Sequence, residues 1–455
     1  MITRRNFMPI SLSGVLGTTL APSAHGEKTT TISSQAITEP ARDLPIKERV
    51  DVIVCGAGPA GVAAALAAAR SGASVRLIES CGCLGGTWTA GLLSWIFDFK
   101  PTGLTKEIAD ALDQRQARIA EVPDKFTYEP EEMKILLEEL CQKAGVKIRL
   151  NTRVVAAYKT GTRISTVITE SKSGREAWQA KIFIDATGDG DLGAQAGCAW
   201  DFGFNDGTVW QPATLNALAI VKNIDALKPN ISGGTLKTHL ASTELNKAAI
   251  KQTGINSSYG HPTIFHIHDH VVLLMFNHEY SACSFNADHM TEATLRARRE
   301  VHTIARALNK LGGCWEGLRI IATAEQIGIR EGRRIHGLYT ITKEDLVNGT
   351  HHPDAVARVH FPVDIHAHSK AENDKHALHR GGVDRFSPYD IPLRALIAKD
   401  VDNLMMAGRC ISGDFVAHGS YRVTGNAVAM GEAAGNVAAY AAAHAQLPRD
   451  VRYPL

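Results

Sequence analysis

Gly56-Ala57-Gly58-Pro59-Ala60-Gly61 spaces three glycines as GxGxxG, and the acid Glu79 follows eighteen positions beyond Gly61. Those residue types at that spacing bind a dinucleotide, and each has a physical task. Gly56 permits a tight turn. Gly58 lets the backbone approach a pyrophosphate with no Cβ in the way. Gly61 lets the following helix pack close to the preceding strand. Pro59 and Ala60 open that helix, whose first N–H groups and positive dipole end face the phosphates. Glu79 accepts from ribose hydroxyls, and a carboxylate there disfavours the 2′-phosphate of NADP. Gly85-Gly86-Thr87 stands shortly after Glu79 and offers further backbone donors to a long dinucleotide. No second GxGxxG in a strand–helix setting follows, so a separate nicotinamide domain is not expected.

Reaction chemistry is written less plainly. Asp364 and His366 in Pro362-Val363-Asp364-Ile365-His366 pair an imidazole with an acid that could orient it as a general base. In a straight strand the two side chains share one face and point out in parallel, so the contact needs a bend in the chain. Arg330, Arg333 and Arg334 cluster around Glu331. They read either as an anion clamp for a carboxylate or for cofactor phosphates, with Arg330 and Arg334 the candidates, or as a salt-bridged surface. His266, His268 and His270 alternate, which in a strand places all three on one face, but no further ligand motif accompanies them and no metal is expected. Cys81 and Cys83 are too close for the CxxxxC of flavin-linked thiol chemistry, and the eight cysteines read as free thiols.

The elements that must position these groups follow from periodicity. Val50–Cys55 is a short apolar run of the buried, parallel-sheet kind. An alanine-rich helix over Val62–Arg70 and a strand over 74–79 complete a βαβ unit. Helices are expected over 106–119 and 131–143. Strands are expected over 147–150, 153–159, 164–170 and 180–186, the last running into Ala186-Thr187-Gly188-Asp189. From Asp402 the first style returns, with a strand over 403–407 and an alanine-rich helix over 427–444. Between lies a histidine-rich stretch of mixed character. The expected layout is a leader over 1–26, a linker over 27–47, a nucleotide-binding domain from 48–204 and 386–455, and an insert over 205–385.

Taken together, GAGPAG, Glu79, the Gly-Gly pair and ATGD resemble the glutathione-reductase-like FAD fold. The segments NLMMAGRCIS and GSYRVTGNAVAMGEAAG, REGRRIHGLYTITKEDLVNG, and PVDIH are similar to the bacterial FAD-dependent oxidoreductase family. The resemblance covers most of residues 50–443 and is thinnest over 215–315. It implies FAD as cofactor and an α/β fold: a Rossmann-like parallel-sheet domain built from both chain ends, with an inserted α+β substrate domain. By position it implies that the Val154 backbone meets the adenine, and that Gly188 and Asp189 form the second crossing. It places Gly408 and Arg409 near the ribityl chain or phosphates. Gly425, Asn426 and Ala427 then open a helix beneath the flavin pyrimidine, where a helix N-terminus stabilises the charge of reduced flavin. The implied activity is hydride transfer between a small organic substrate and FAD, with electrons passing to a quinone, cytochrome, partner protein or oxygen. A fumarate-reductase-like reduction of an unsaturated acid, or an electron-transfer subunit without its own substrate, are the alternatives.

Composition fits and excludes. The chain has 455 residues, 44% hydrophobic and 21% charged, as expected of a globular protein. Beyond residues 1–26, which carry Arg4 and Arg5 and no acid, basic and acidic residues balance at 47 each. That balance argues against nucleic-acid binding or a membrane-surface role driven by charge. Thr3-Arg4-Arg5-Asn6-Phe7-Met8 before a modest apolar stretch resembles a twin-arginine export signal. It implies passage through the twin-arginine machinery to the periplasm or beyond, already folded around the cofactor. No run of 18 consecutive apolar residues follows, so no transmembrane anchor is expected.

Overall fold

A computed structural model describes residues 37–122, 125–204, 207–376 and 378–454. The leader over 1–26, and the linker up to residue 36, lie outside the described residues. Leu44–Leu455 groups by its contacts as one unit.

The chain enters a strand, β1 (Ile46–Cys55), in which Val52 to Cys55 are wholly buried on both faces. A helix, α1 (Pro59–Arg70), and a second strand, β2 (Val75–Ile78), follow. Pro at the first helical position costs nothing, since that N–H has no partner within the helix. β1 lies between β2 and the strand Gly174–Asp185, parallel to both. Lys147–Arg149 adds outside β2, and Leu404–Met406 pairs with the C-terminal half of Gly174–Asp185, again in parallel. The N-terminal half of Gly174–Asp185 instead pairs antiparallel with Arg163–Ser171, which carries Arg153–Thr160 at the edge. The protein is therefore α/β, around a mainly parallel sheet built from both ends of the chain. Register aligns Cys55 with Ile78 and Asp185, and Asp185 with Met406. The carboxyl ends of four strands thus form one edge, where α/β sheets bind ligands.

The two chain ends are locked by close helix packing. The helix Thr424–His444 lies on α1, and a Cβ at Gly431 would stand 2.1 Å from the Ala60 carbonyl oxygen. A Cβ at Gly435 would stand 2.2 Å from that of Ala64. Only hydrogen fits between these backbones.

The middle of the chain builds an antiparallel sheet in the order Thr263–His268, Val271–Met275, Ala217–Ile220, Arg319–Thr323. Its side chains alternate between two buried clusters. Ala217, Ala219, Ile264, Val272 and Leu274 join Val301, Ile304 and Leu308 of the long helix Ala287–Leu311. Leu218, Phe265 and Leu273 face the other way, toward Trp95 and Leu92.

Two local expectations shift. The helix expected over 106–119 runs from Gly103 to Gln114, and Gln116, two residues on, has a φ of +58° that no helix continues through. Ile119 belongs to a strand, Arg118–Val122. The three alternating histidines also part: the strand ends at His268, and the turn at Asp269, with φ +40°, takes His270 off it. His266 Nε2 lies 3.0 Å from the Asp269 carbonyl oxygen. Among the described residues no group of three His, Cys, Asp or Glu side chains is placed to hold a metal ion.

Candidate functional site

The cofactor side begins at the end of β1. Gly56 has φ +93°, and a Cβ there would lie 2.5 Å from the Ala186 carbonyl oxygen. At Gly61 a Cβ would lie 1.9 Å from the Gly56 carbonyl oxygen. The fold itself requires both glycines. Gly58 differs: its φ of −66° and ψ of −174° suit any residue, and an added Cβ would meet no protein atom within 4 Å. No protein contact requires glycine there, and the open space beside it would fit a pyrophosphate.

Glu79, 7% exposed, accepts from the Ala57 N–H at 2.6 Å and the Cys81 N–H at 2.8 Å. Its carboxylate thus ties the glycine loop to the turn after β2. Gly85 and Gly86 both have positive φ, and the Gly85 N–H donates to the Ala57 carbonyl at 2.7 Å. A Cβ at Gly86 would stand 2.9 Å from the Gly58 Cα, so the segment through Thr87 lies directly over the first loop. The Thr152 N–H donates to the Glu79 carbonyl, which brings the strand with Val154 alongside. The Val154 carbonyl accepts from Gln195 Nε2 at 3.0 Å.

The second crossing is organised by the wholly buried Asp185. One carboxylate oxygen accepts from the Thr187 N–H and hydroxyl, the other from the Gly193 N–H. Burial pushes its carboxyl up to about 6. Gly188 has φ +77°, and a Cβ there would lie 2.9 Å from the Arg409 guanidinium carbon. Arg409 binds Asp189 at 2.7 Å, and its Nε is buried without a partner. Burial raises the Asp189 carboxyl, a shift that Arg409 partly offsets. Gly408, with φ +89°, sits against Ala60 at the start of α1. The helix Thr424–His444 starts where a Cβ at Gly425 would strike the carbonyls of Phe97 and Asp98. Asn426 and Ala427 are buried. Two polar atoms of that first turn, Thr424 Oγ1 and Asn426 Nδ2, are buried without a partner. Unpaired buried donors at a helix N-terminus fit a polar ring system docked against it. The open cradle at Gly58 and these donors together suit a flavin dinucleotide.

A second group of side chains converges just before this helix. Arg422 donates through Nη2 to the Asp364 carboxylate at 3.0 Å, to its carbonyl at 2.7 Å and to Gln211 Oε1 at 3.3 Å. His366, 5% exposed, places Nε2 at 3.3 Å from Asp364 Oδ2. Its backbone N–H donates to the same Gln211 oxygen at 3.2 Å. Asp364 lies just before the two-residue strand Ile365–His366, and its N–H donates to the Gly419 carbonyl. His366 Nδ1 is buried and unpaired. His278 lies against Tyr259 with ring centroids 3.9 Å apart and the rings tilted by 31°, and it meets the His366 ring edge-on at 4.9 Å. Neither His278 ring nitrogen has a partner.

Electrostatics sort these groups. Burial, aided by the Arg330 charge, lowers the His366 imidazole to about 4 despite the pull of Asp364. His278 is driven well below its ordinary range by burial and by Arg330. Both rings are neutral at pH 7. Burial alone would raise the Asp364 carboxyl, but His366, Arg422 and Arg330 outweigh it and hold the group far down, ionised.

The three clustered arginines go to three places. Arg330 points into this group; its Nη1 donates to the Pro212 carbonyl at 2.9 Å and Thr214 Oγ1 at 2.8 Å. Arg333 binds Asp191 and the Asp189 carbonyl and lies over the Phe285 ring. Arg334, 3% exposed, donates to Glu331 and to the carbonyls of Gly203 and Gly413, each at 3.0 Å. Its donors are committed to protein acceptors. The Cys81 thiol is pushed up to about 12 by burial and by Glu79 and Glu325, which disfavours thiolate chemistry.

The sequence model of the family described as FAD dependent oxidoreductase matches residues 51–455. Thiamine thiazole synthase of Pyrococcus abyssi (strain GE5 / Orsay) is 30% identical over 176 residues, covering 36% of this chain and 68% of that protein. Among solved structures, a geranylgeranyl bacteriochlorophyll reductase-like protein from Thermoplasma acidophilum is 14% identical with a TM-score of 0.46. That match covers 88% of this chain and 80% of the other. The flavin-dependent brominase Bmp2 is 12% identical with a TM-score of 0.46, over 90% of this chain and 81% of its own.

Proposed function

Since the chain belongs to the FAD dependent oxidoreductase family, we propose that it is a dehydrogenase of a small organic molecule, with His366 as the base that takes the substrate's proton. FAD is the cofactor, and when bound it supplies the hydride acceptor. Gly58, Glu79, Gly85, Gly86 and Arg409 hold its dinucleotide portion, and the first turn at Gly425, Asn426 and Ala427 meets its ring.

One observation supports the assignment above all. The Asp364–His366 pair and Arg422 converge two residues before the helix that opens with the unpaired donors of Thr424 and Asn426. Asp364 holds the imidazole through Nε2, leaving Nδ1, buried and unpaired, as the nitrogen free to take a proton. The ring is neutral at pH 7, the form a base requires. Gln211 fixes both His366 and Arg422 through one oxygen. The buried rings of His278 and Tyr259 pack against His366 and limit the water around it.

Electrons leave to an acceptor other than a nicotinamide: a quinone, cytochrome, partner protein or oxygen. The Arg4-Arg5 leader directs the folded, loaded protein out of the cytoplasm. Arg4→Lys with Arg5→Lys leaves a flavin-containing protein inside the cell; normal export of that variant removes the twin-arginine reading. A second reading, reduction of an unsaturated acid, is favoured by Arg330, a cation that polarises such a substrate. Anaerobic mixing with a panel of alcohols, hydroxy acids and amines, following the loss of flavin colour, tests the dehydrogenase. Reoxidation of chemically reduced enzyme by unsaturated acids, without bleaching by any of the panel, reverses the direction. Failure of both leaves an electron-transfer subunit.

A further inference from the structure

Five arginines stand around the cofactor and the His366 group, and four of them have a carboxylate. Arg333 has Asp191, Arg334 has Glu331, Arg409 has Asp189 and Arg422 has Asp364. Arg330 has none within 4.0 Å among the described residues. Its bonds go to two neutral oxygens, the Pro212 carbonyl and the Thr214 hydroxyl, both through Nη1. Nε and Nη2 meet no acceptor among the described residues. A guanidinium is always charged, and Arg330 is partly exposed, so its Nε and Nη2 are open to a counter-charge that the protein does not supply. Arg422 lies close enough to repel it. Burial, chiefly, and Arg422 bring the Arg330 group down to about 10. The groups facing it are Tyr259, Tyr280, Asp364, Arg422, His278 and His366. Asp364 is shared with Arg422 and His366 and cannot neutralise all of them.

We propose that Arg330 is the seat of a substrate carboxylate, and that the substrate of this enzyme is therefore an organic acid. This rests on the reading of the His366 group as the reaction site. The planar fork of Nε and Nη2 presents two parallel donors, the geometry that matches a carboxylate edge. His278 adds an unpaired buried ring nitrogen in the same enclosure. The carboxylate has a second effect. The Arg330 charge is the largest electrostatic influence holding the His366 imidazole down. An anion bound on Arg330 offsets that charge, so substrate binding itself makes the base more basic.

The test reads binding and needs no turnover, so it stands apart from the dehydrogenase reading. Oxidised, FAD-loaded protein in carboxylate-free buffer is titrated with acetate, propionate and benzoate, and separately with their amides, while the visible flavin band is recorded. At least one acid is expected to give a saturable spectral change, with its amide at least about tenfold weaker. Arg330→Met is expected to weaken the acid about tenfold to a hundredfold, and Arg330→Lys, which keeps the charge but loses the fork, to fall between wild type and Arg330→Met. No saturable change with any acid, or equal binding of acid and amide, overturns the proposal. So does unchanged acid binding in a loaded Arg330→Met protein. Because the acid–amide contrast uses the unaltered protein, misfolding of a variant leaves the test intact. If acids bind as expected but His366→Ala reacts at the normal rate, the carboxylate seat stands and the base assignment falls.

Discussion

Replacing Gly58 with valine separates the demands of the cofactor from the demands of the fold. At Gly61 the chain cannot accept a Cβ, which would lie 1.9 Å from a backbone oxygen. Gly61→Ala therefore forces α1 off β1 and is expected to destabilise the whole protein by about 3 kcal/mol or more. At Gly58 the backbone is extended and a Cβ meets no protein atom within 4 Å. Gly58→Val is expected to change stability by only about 1 kcal/mol, the scale of a helix N-cap substitution. Its effect on FAD is larger. Two N–H groups of the loop that would face the pyrophosphate each make a charge-assisted bond worth about 1.5–3 kcal/mol. Losing both weakens FAD binding by about a hundredfold to ten-thousandfold. The assay is twofold: flavin-to-protein absorbance after gel filtration, and a urea melt compared with wild type stripped of FAD. Colourless protein with a near-normal melt is the expected result. Full flavin occupancy in Gly58→Val would refute the placement of the pyrophosphate, and with it the reason given for glycine at this position.

Arg334→Met leaves Glu331, 1% exposed, without its main partner, and is expected to lower stability by about 3–5 kcal/mol, seen as a drop in melting temperature. A stable Arg334→Met protein that fails to bind acids would instead place Arg334 in the clamp. Stability should also fall on acidification. His366 takes up a proton near its ordinary 6.5 when unfolded but only near about 4 when folded, so the unfolded state binds more protons between those values. Stability then drops by about 1.4 kcal/mol per pH unit for that one group as pH falls from 6.5 toward 4. His278 has the same sign, and Asp364, held low, adds to the loss below pH about 4. Urea melts of His366→Gln across this range should show a shallower slope; an identical slope would mean that His366 is not buried neutral.

The cofactor half of the protein was legible in its sequence because its constraints are local. Gly56 and Gly61 are demanded by contacts inside one βαβ unit, and Glu79 reaches back to Ala57 within it. The closing helix was legible in its alanines, though its start lies three residues before the expected Ala427. The glycines that lock it to α1, Gly431 and Gly435, were visible only as small residues, since their partners at Ala60 and Ala64 are remote in sequence. The reaction side was legible only in part. Adjacency grouped Arg330 with Arg333 and Arg334, but an irregular segment sends each to a different partner. Arg422, Gln211 and His278 were not anticipated. Each enters from a separate stretch of chain, and no periodicity announces a meeting that tertiary packing alone creates. The pairing of Asp364 with His366 is legible because the two are neighbours in sequence, and their side chains do meet.

The claim at the centre of this account is that His366 takes the substrate proton beside the flavin. It is tested most directly by stopped-flow measurement of flavin reduction in His366→Ala, under anaerobic conditions and normalised to bound FAD. A positioned base contributes about a hundredfold to ten-thousandfold in rate. The account predicts a loss of that size with FAD content and oxidised spectrum nearly intact, because His366 meets the cofactor loops through no hydrogen bond of its side chain. An unchanged rate per bound FAD would contradict it.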